Sequence, residues 1–496
     1  MESRLRVTFQ GVFQSRSCAG MLLTNHSVLK IRRLSMVETL DGIISAINGV
    51  VWGWPMIILL FGTHIFLTIR LRFIQRYIGT AFKLYFVKDK GAKGDVSQFA
   101  ALQTAMAATT GTGNIVGVAM AIYLGGPGAI FWLWCTGLFG IATKYSEGLL
   151  AVKYRVKTST GTMLGGPMYA LERGLNMKWL AVLFSVFTCI AAFGIGNFVQ
   201  ANAIATMAQA NYSINPHITG IFLMVITFLV VVGGIKSIAS FSEKIIPAMC
   251  ALFIICNIII VFYNIAYVPE ALRLIITNAF TPRAAGGGFV GATVLIAMRF
   301  GIARGLFSNE SGLGSAPLAA ASATTINPVR QALVSMSGTF IDTIIMCFLT
   351  GLMLITTILR TPGAFEALES GAVFTAVAFR QIPVIGPIII TFGLFLFAWT
   401  TTLGWCFYGE RTAEYLLGKK ALMPYRVIWC IAVYIGSVVS LSFVWNLADM
   451  FNAFMAFPNL VSLLLLSGVL VKETRKYLWN KNLDGVSDDD LPVINK

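Results

Sequence analysis

Long apolar stretches recur along almost the whole chain, and they restrict its fold more than any other feature. Residues 218–232, 245–263 and 460–471, with their flanks, are examples. A helix needs about 20 apolar residues to cross a bilayer. Because unpaired backbone groups are costly in lipid, each stretch is predicted to be helical. The sequence therefore predicts an all-α polytopic membrane protein with about eleven transmembrane helices, at residues 43–67, 97–122, 128–150, 180–208, 217–234, 245–266, 288–308, 332–358, 384–408, 425–447 and 455–471.

The composition agrees with a lipid-facing exterior, since 57% of the 496 residues are hydrophobic and only 12% are charged. The net charge of +16 would suit nucleic acid, but the charges lie in loops at helix ends, so no nucleic-acid partner is expected. Lys and Arg concentrate in the loops after odd-numbered spans, whereas the opposite loops hold only Arg273, Arg283, Arg360 and Arg380. The positive-inside rule then predicts a cytoplasmic carboxyl terminus, most simply in a bacterial inner membrane.

The first 35 residues break this charge pattern. Six Lys and Arg residues would lie there on the outer side, opposed only by Glu2. A basic segment almost free of acid resembles an organelle transit peptide. A true start at Met36, where an amphipathic entry to the first span begins, would remove the anomaly and is the favoured explanation. The predicted organisation is an extension at 1–35, a transmembrane domain at 36–476 and a cytoplasmic tail at 477–496.

Two segments are too rich in glycine and hydroxyl groups for ordinary lipid-facing helices. They are residues 109–117, inside the second span, and 300–314, at the seventh span and its exit. Glycine costs about 1 kcal/mol in a helix interior, so such clusters allow unwinding and backbone contact with a ligand. Gly111 and Gly301 lie 190 positions apart, and each opens a set of five spans, which must be mutually inverted because five is odd. Matched broken helices are typical of transporters, although close helix packing would explain one cluster alone.

A series of long motifs identifies a family. The chain resembles the alanine or glycine:cation symporter family from about residue 36 to 476, through GTGN at 111–114, GGPGAIFW at 125–132, GGPMY at 165–169, FGIGNFVQAN at 193–202, RGLFSNESGLGSAP at 304–317, QALVSMSGTFIDT at 331–343 and WNLAD at 445–449. The resemblance implies the leucine-transporter-like fold, a five-plus-five inverted repeat with one extra amino-terminal helix. It also implies uptake of alanine or glycine driven by sodium ions or protons.

The resemblance further implies a set of substrate contacts. Helix ends at the breaks would bind the carboxylate and the ammonium of a zwitterion, the amides of Gly113 and Asn114 receiving the carboxylate. Gln200 would hydrogen-bond the substrate or, alternatively, clasp two helices, and Trp405 would close a small pocket or anchor a helix at the interface. The implied contacts are Thr110, Gly111, Thr112, Gly113, Asn114, Gln200, Phe300, Gly301 and Trp405.

By analogy with the fold, the coupling sodium ion is expected at Thr401 and Thr402 together with backbone oxygens of the second span. The alternative is that these hydroxyls bond carbonyls of their own helix. Asp342 is the deepest ionisable residue, and a pair with Arg299 or Arg304 would form a cytoplasmic gate or else a permanent structural ion pair. The other ionisable residues in or near spans are Lys144, Glu147, Glu310 and Glu410.

The expected function is symport of Na+ or H+ with alanine or glycine by alternating access, with no resident cofactor. Amino-acid substrate, sodium and the lipid bilayer are the expected partners. An ion channel would need a continuous polar pore, and a membrane enzyme would need a nucleophile with its base, paired carboxylates or a His/Cys metal site. No such enzymatic pattern is present, so the chain is not expected to be an enzyme. A non-transporting amino-acid receptor is a further alternative. The sequence leaves open the choice among alanine, glycine and serine, the D or L isomer, the cation, the stoichiometry and the oligomeric state.

Overall fold

The computed structural model describes residues 39–87, 89, 92–282, 293–364, 371–439, 441–487 and 491–494. Residue contacts divide the chain into two compact units, Met1–Ala46 and Ile47–Lys496. Residues 39–46, the described part of the first unit, are helical. Every predicted site residue belongs to the second unit. The predicted extension at 1–35 lies outside the described residues.

The described residues are mainly helical. The helices, numbered in chain order, are α1 Thr39–Val51, α2 Trp54–Arg70, α3 Ile78–Leu84, α4 Gln98–Thr109, α5 Gly113–Gly125, α6 Gly128–Lys153, α7 Pro167–Tyr169, α8 Lys178–Tyr212, α9 Pro216–Val231, α10 Gly234–Tyr263, α11 Val268–Phe280, α12 Val294–Asn309, α13 Pro317–Ala320, α14 Pro328–Arg360, α15 Gly371–Phe379, α16 Ile385–Leu417, α17 Leu422–Val438, α18 Leu441–Leu465 and α19 Ser467–Thr474. A wider π-helical turn begins α5 at Gly113–Gly117, and similar turns interrupt α8 at Ala192–Phe198 and α14 at Phe340–Cys347.

Several of these helices have the length and apolar character of membrane spans. Among the described residues, six pass this test alone, in the regions of α8, α10, α14, α16, α17 and α18. The number rises to eight if α1 with α2, and α4 with α5, each form one bent span. Each predicted span overlaps at least one described helix. The chain is thus a multi-pass membrane protein, while its number of crossings stays a prediction.

The first helix break lies where the sequence predicts it. α4 ends at Thr109, α5 begins at Gly113, and the two helices are bent by 50°. Ser97 starts α4 as an N-cap, its hydroxyl accepting a hydrogen bond from the Ala100 amide at 3.0 Å. The buried face of α4 leads directly into residues 110–114, which are all buried. The break therefore exposes backbone groups to the protein interior, not to lipid.

The second helix break lies later than predicted. α12 runs without interruption from Val294 to Asn309, so the expected break at Phe300–Gly301 is wrong. The chain leaves the helix at Glu310, which has a φ of 56°, and continues through Gly312 and Gly314 with φ of 98° and 82°. These positive angles favour glycine, and they mark the true break before α13.

α6 is a continuous helix that contacts several others of the unit. It packs against α2, α12 and α14, while α16 packs against α4 and α8. Small residues permit these close approaches: a Cβ at Gly140 would lie 3.1 Å from the Ser311 Cβ, and one at Gly148 would lie 3.1 Å from the Ser335 Cβ. The two breaks consequently meet between α6, α8, α14 and α16.

The loops beside α4 and α13 are joined by strand pairing. Val96 bridges Ala323, and Lys93 bridges Thr325, so the segment before α4 is tied to the segment after α13. Arg155 reinforces this junction, its guanidinium donating to the carbonyls of Ala321, Ala323 and Lys93 at 2.7 to 3.2 Å. Burial lowers the pKa of Arg155 to about 10.

The carboxyl-terminal segment packs on the same loops. A three-stranded sheet of order β2-β1-β3 is formed by β1 Val156–Thr158, β2 Met163–Leu164 and β3 Val493–Ile494, with β3 parallel to β1. Arg330, buried at the start of α14, bridges Asp89 at 3.0 Å and Asp484 at 2.7 Å. The predicted tail thus contacts the transmembrane domain at several points.

Candidate functional site

The first break brings residues 110–114 together with Gln200. The Asn114 side-chain oxygen accepts a hydrogen bond from the Gly111 amide at 3.2 Å, and the Gln200 Oε1 accepts one from the Thr112 amide at 3.4 Å. Gln200 projects from α8, where its Nε2 donates to the Ile195 carbonyl at 2.9 Å. Two amides at the break therefore bind side-chain oxygens in place of helix carbonyls.

Backbone carbonyls of the same break face α16. The Thr401 hydroxyl lies 3.1 Å from the Ala107 carbonyl oxygen and 3.4 Å from that of Thr110. The Thr402 hydroxyl instead donates to the Ala398 carbonyl of its own helix at 3.1 Å. Of the two predicted sodium ligands, Thr401 thus reaches the break, and Thr402 makes the local bond that was the alternative. The Thr401 hydroxyl and the carbonyls of Ala107 and Thr110 form a buried group of oxygen atoms, the donor type that hard cations prefer.

Asp342 joins the two breaks. Its carboxylate accepts hydrogen bonds from the Asn114 Nδ2 at 2.7 Å, the Ser308 hydroxyl at 2.9 Å and the Thr343 hydroxyl at 2.8 Å. Ser308 is the penultimate residue of α12, and its Cα would lie 3.0 Å from a Cβ built at Gly113. The absence of a side chain at Gly113 therefore allows the two breaks to touch.

The predicted pairing of Asp342 with Arg304 or Arg299 is wrong. Arg304 forms an ion pair with Asp449 of α18 at 2.9 Å, and its guanidinium lies 5.1 Å from the centre of the Trp445 ring. Asp342 is instead hydrogen-bonded by neutral side chains, as described above. The acid and the base of the proposed gate therefore belong to different clusters, since Arg304 is paired with Asp449 and Asp342 is bound by Asn114, Ser308 and Thr343.

Phe300 and Gly301 lie outside the cluster formed by the two breaks. Gly301 is buried in the continuous α12, where a Cβ would lie 2.4 Å from the Ala129 carbonyl oxygen and 2.7 Å from the Trp132 Cβ of α6. Phe300 is partly exposed, and the Arg299 guanidinium lies 5.8 Å from its ring centre. Gly301 thus serves close helix packing, the alternative that applied to one glycine cluster.

We expect Gly301→Ala to lower transport of alanine and glycine by the same factor. The added methyl would overpack the contact with α6, at a cost of about 1–3 kcal/mol in stability. Thermal unfolding and competition uptake measure the two effects. Gly393→Ala is the matched control, because a Cβ there meets no atom within 4 Å. A selective loss of alanine uptake at an unchanged melting temperature would instead indicate that Gly301 lines the substrate pocket.

Trp405 lies in the protein interior, so it does not anchor α16 at a membrane interface. It is fully buried, and its Cβ lies 2.0 Å from the position that a Cβ on Gly196 would occupy. Its ring stands edge-on to that of Tyr408, with the centroids 5.5 Å apart. Trp405 therefore packs closely against Gly196 of α8.

Sequence reasoning did not single out several residues of this cluster. Ser308 and Asp449 lie within the quoted motifs RGLFSNESGLGSAP and WNLAD, so the motifs were the available signal. The Ala107 carbonyl could not be found by residue type, since any residue supplies a carbonyl. Lys144 and Glu147 were noted only as ionisable residues. Both are buried on α6 beside the second break.

Comparison with known proteins identifies the family. The chain matches the profile of the sodium:alanine symporter family over residues 37–489. It is 48% identical to the sodium/alanine symporter AgcS of Methanococcus maripaludis, over 88% of this chain and 96% of the relative. An uncharacterized transporter of Haemophilus influenzae is 50% identical over 91% and 99%. The probable sodium/glutamine symporter GlnT of Bacillus subtilis is 35% identical over 90% and 92%.

Solved structures confirm the fold. MhsT, crystallised with L-phenylalanine, aligns with a TM-score of 0.58 at 17% identity, over 79% of this chain and 96% of that one. A manganese transporter of Eremococcus coleocola, in a mutant form, aligns with a TM-score of 0.52 at 15% identity, over 79% and 87%. The predicted leucine-transporter-like fold is therefore confirmed. The family profile and the long, full-length similarities together place this chain in the sodium:alanine symporter family.

Proposed function

We propose that this chain is a sodium-coupled symporter that carries alanine or glycine across the membrane by alternating access. The observation that carries the proposal is the broken helix α4–α5, whose carbonyls face the Thr401 hydroxyl while its amides face Asn114 and Gln200. One break thus offers acceptors to a cation and donors to a carboxylate. The similarity to AgcS, named a sodium/alanine symporter, supports the same assignment.

The substrate carboxylate binds the amides of Gly111 and Thr112. Those amides are held by side-chain oxygens, at 3.2 and 3.4 Å, so small rotations of Asn114 and Gln200 release them. A helix amino end also carries partial positive charge, which favours an anion without a buried countercharge. The Asp342 carboxylate, linked to Asn114 at 2.7 Å, supplies negative charge on the opposite side for the ammonium.

The sodium ion would be held among the oxygens of Ala107, Thr110 and Thr401, where the Thr401 hydroxyl lies 3.1 and 3.4 Å from the two carbonyl oxygens, whereas the Thr402 hydroxyl stays bonded within its own helix. Unwound carbonyls of broken helices coordinate sodium in transporters of this fold. The residues fit the ion, because the group is made of neutral oxygen atoms within the protein. Sodium is a co-substrate here, and no resident cofactor is part of the proposal.

An outer gate is formed by Arg304 and Asp449, with Phe307 and Trp445 as an aromatic lid. The two rings have centroids 4.9 Å apart, and the ion pair spans 2.9 Å between α12 and α18. The positive-inside rule places the first residues of α12 outside, so this group lies on the outer side of the two breaks. A cavity of about 800 Å³ at the start of α4, lined in part by Asp95 and Lys236, is then the inner exit. The carboxyl terminus is cytoplasmic, and the membrane is a bacterial inner membrane.

Uptake of radiolabelled alanine and glycine into proteoliposomes tests this function. A sodium gradient should drive accumulation, and the transport should carry charge because a neutral zwitterion moves with a cation. A 100 mV potential and a tenfold gradient supply about 2.3 and 1.4 kcal/mol, so one ion sustains roughly 500-fold accumulation. Accumulation that survives collapse of both sodium and proton gradients would refute coupling. Unlabelled glutamine belongs among the competitors, since one relative is named a probable glutamine symporter.

A further inference from the structure

The second break leaves two unlike backbone ends inside the protein. α12 ends at Asn309 with carbonyl groups that lack a following helical turn, and the turn after it presents amides of Gly312 and Gly314. Alternating positive and negative φ angles turn successive amides toward one point, which makes an anion-binding concavity. A broken helix thus carries a cation-binding end and an anion-binding end only a few residues apart.

Two residues of α6 bind the two backbone ends of the second break, one at each end. The Lys144 Nζ donates to the Asn309 carbonyl at 2.9 Å. The Glu147 Oε1 accepts from the Gly312 amide and the Gly314 amide, each at 3.0 Å. Lys144 and Glu147 are three positions apart, so they project from the same face of α6.

Further contacts fix the position of Glu147. The Asn459 Nδ2 of α18 donates to the Glu147 Oε1 at 2.7 Å and to the Gly312 carbonyl at 2.9 Å. Lys144 and Glu147 are 3% and 2% exposed, so neither charge is met by bulk solvent. An isolated buried charge is costly, and here three donors converge on the Glu147 Oε1 while its Oε2 has no hydrogen-bond partner among the described residues.

At the first break, the side chains that bind the backbone amides are neutral. The amides of Gly111 and Thr112 are held there by Asn114 and Gln200. An amino-acid zwitterion can displace neutral amide side chains far more easily than a carboxylate and an ammonium fixed on α6. The two breaks therefore differ in what their ends already bind.

We propose that Lys144 and Glu147 act as a built-in zwitterion, which saturates both ends of the second break and holds it in the shape that positions Ser308 against the first break. The inference rests on the proposed function, because it assigns substrate recognition to the first break alone. Lys144 and Glu147 are positioning residues: they act on substrate through the backbone of residues 309–314. The Thr401 oxygens are contacted by neither residue, so sodium binding is independent of the pair.

Glu147→Gln and Lys144→Met each remove one charge at nearly constant volume. In full-length purified protein, we expect each variant to weaken alanine binding about 10- to 100-fold, the value of a hydrogen bond to a charged group. Alanine-dependent thermal stabilisation at saturating sodium measures this affinity. Sodium-dependent stabilisation without alanine should stay within about twofold of wild type. The double variant should bind alanine no more weakly than the more affected of the two single variants, since both residues act on one break.

Glu473→Gln is the matched control. It breaks the ion pair between Lys153, on the same helix α6, and Glu473, which are 2.8 Å apart and outside the hydrogen bonds that Lys144 and Glu147 make with the second break. This variant should lower the melting temperature but leave alanine affinity within about twofold. If either charge variant misfolds, Asn459→Ser removes a single donor to Glu147 and should weaken alanine binding about 2- to 10-fold.

Three results would overturn the inference: alanine affinity within threefold of wild type in Glu147→Gln and Lys144→Met, an equal loss of sodium binding, or the same loss in Glu473→Gln. Wild-type protein that binds neither alanine nor glycine would instead refute the proposed function, and the substrate step of this inference with it. The wild-type measurement thus separates the two failures.

Discussion

Gly111→Ala should reduce sodium-driven alanine uptake about 5- to 150-fold, the range that corresponds to an overpacking cost of about 1–3 kcal/mol. A Cβ at Gly111 would lie 2.3 Å from the Thr401 hydroxyl oxygen and 3.4 Å from the Gln200 Oε1. Thr401 is buried, so its hydroxyl can leave only by abandoning the Ala107 and Thr110 carbonyls. Initial uptake rates at several sodium concentrations measure the loss.

Gly117→Ala is the control for this variant. Gly117 lies in the same broken helix and is buried, but the nearest atom to its Cβ is the Thr112 carbonyl oxygen at 3.9 Å. Uptake by this variant should stay within about twofold of wild type, because the methyl enters ordinary van der Waals contact. Equal loss in both variants would mean that any methyl in this helix disturbs transport and that Gly111 has no particular role.

Thr401→Val should raise the sodium concentration needed for half-maximal uptake about 10- to 100-fold. Valine keeps the branched shape and removes the hydroxyl that lies between two carbonyls, a loss worth about 1.5–3 kcal/mol if the ligand is charged. At saturating sodium, the maximal rate should recover. Thr401→Ser retains the hydroxyl and should behave like the wild type.

The neighbouring residue supplies the control for this second variant. The Thr400 hydroxyl donates to the Phe397 carbonyl of its own helix at 3.1 Å, away from the break. Thr400→Val should leave the sodium dependence unchanged within about threefold. A shift in Thr400→Val as large as in Thr401→Val would place the sodium ion elsewhere on α16.

The first break was predictable because its glycine and hydroxyl residues are concentrated within a few positions in the middle of a span. Residues 109–117 combine three glycines with hydroxyl side chains inside an apolar span, where only an internal, unwound segment satisfies the backbone. Gln200 could be placed beside it through the family resemblance. The choice between Thr401 and Thr402 could not be made, since adjacent residues point about 100° apart on a helix and only the tertiary register decides which one faces the break.

The second break was misplaced because glycine has two uses in a membrane helix. It permits close packing, as at Gly301 against α6, and it permits positive φ angles, as at Gly312 and Gly314. Residues 300–314 contain both kinds, and composition does not distinguish them. The pairing of Arg304 with Asp449 was also out of reach, because the partners are 145 positions apart and several acids were available.

The bent joint at Thr110 gives α4 the mechanics of a lever. Its 12 residues make an arm about 18 Å long, so a 10° swing about the joint would carry the far end by about 3 Å, roughly the width of a water molecule. That far end is tied through Val96 to Ala323, just beyond α13. The arm consequently cannot turn alone: any swing of α4 pulls on the short helix after the second break, and a single rotation would move both inner half-helices in step.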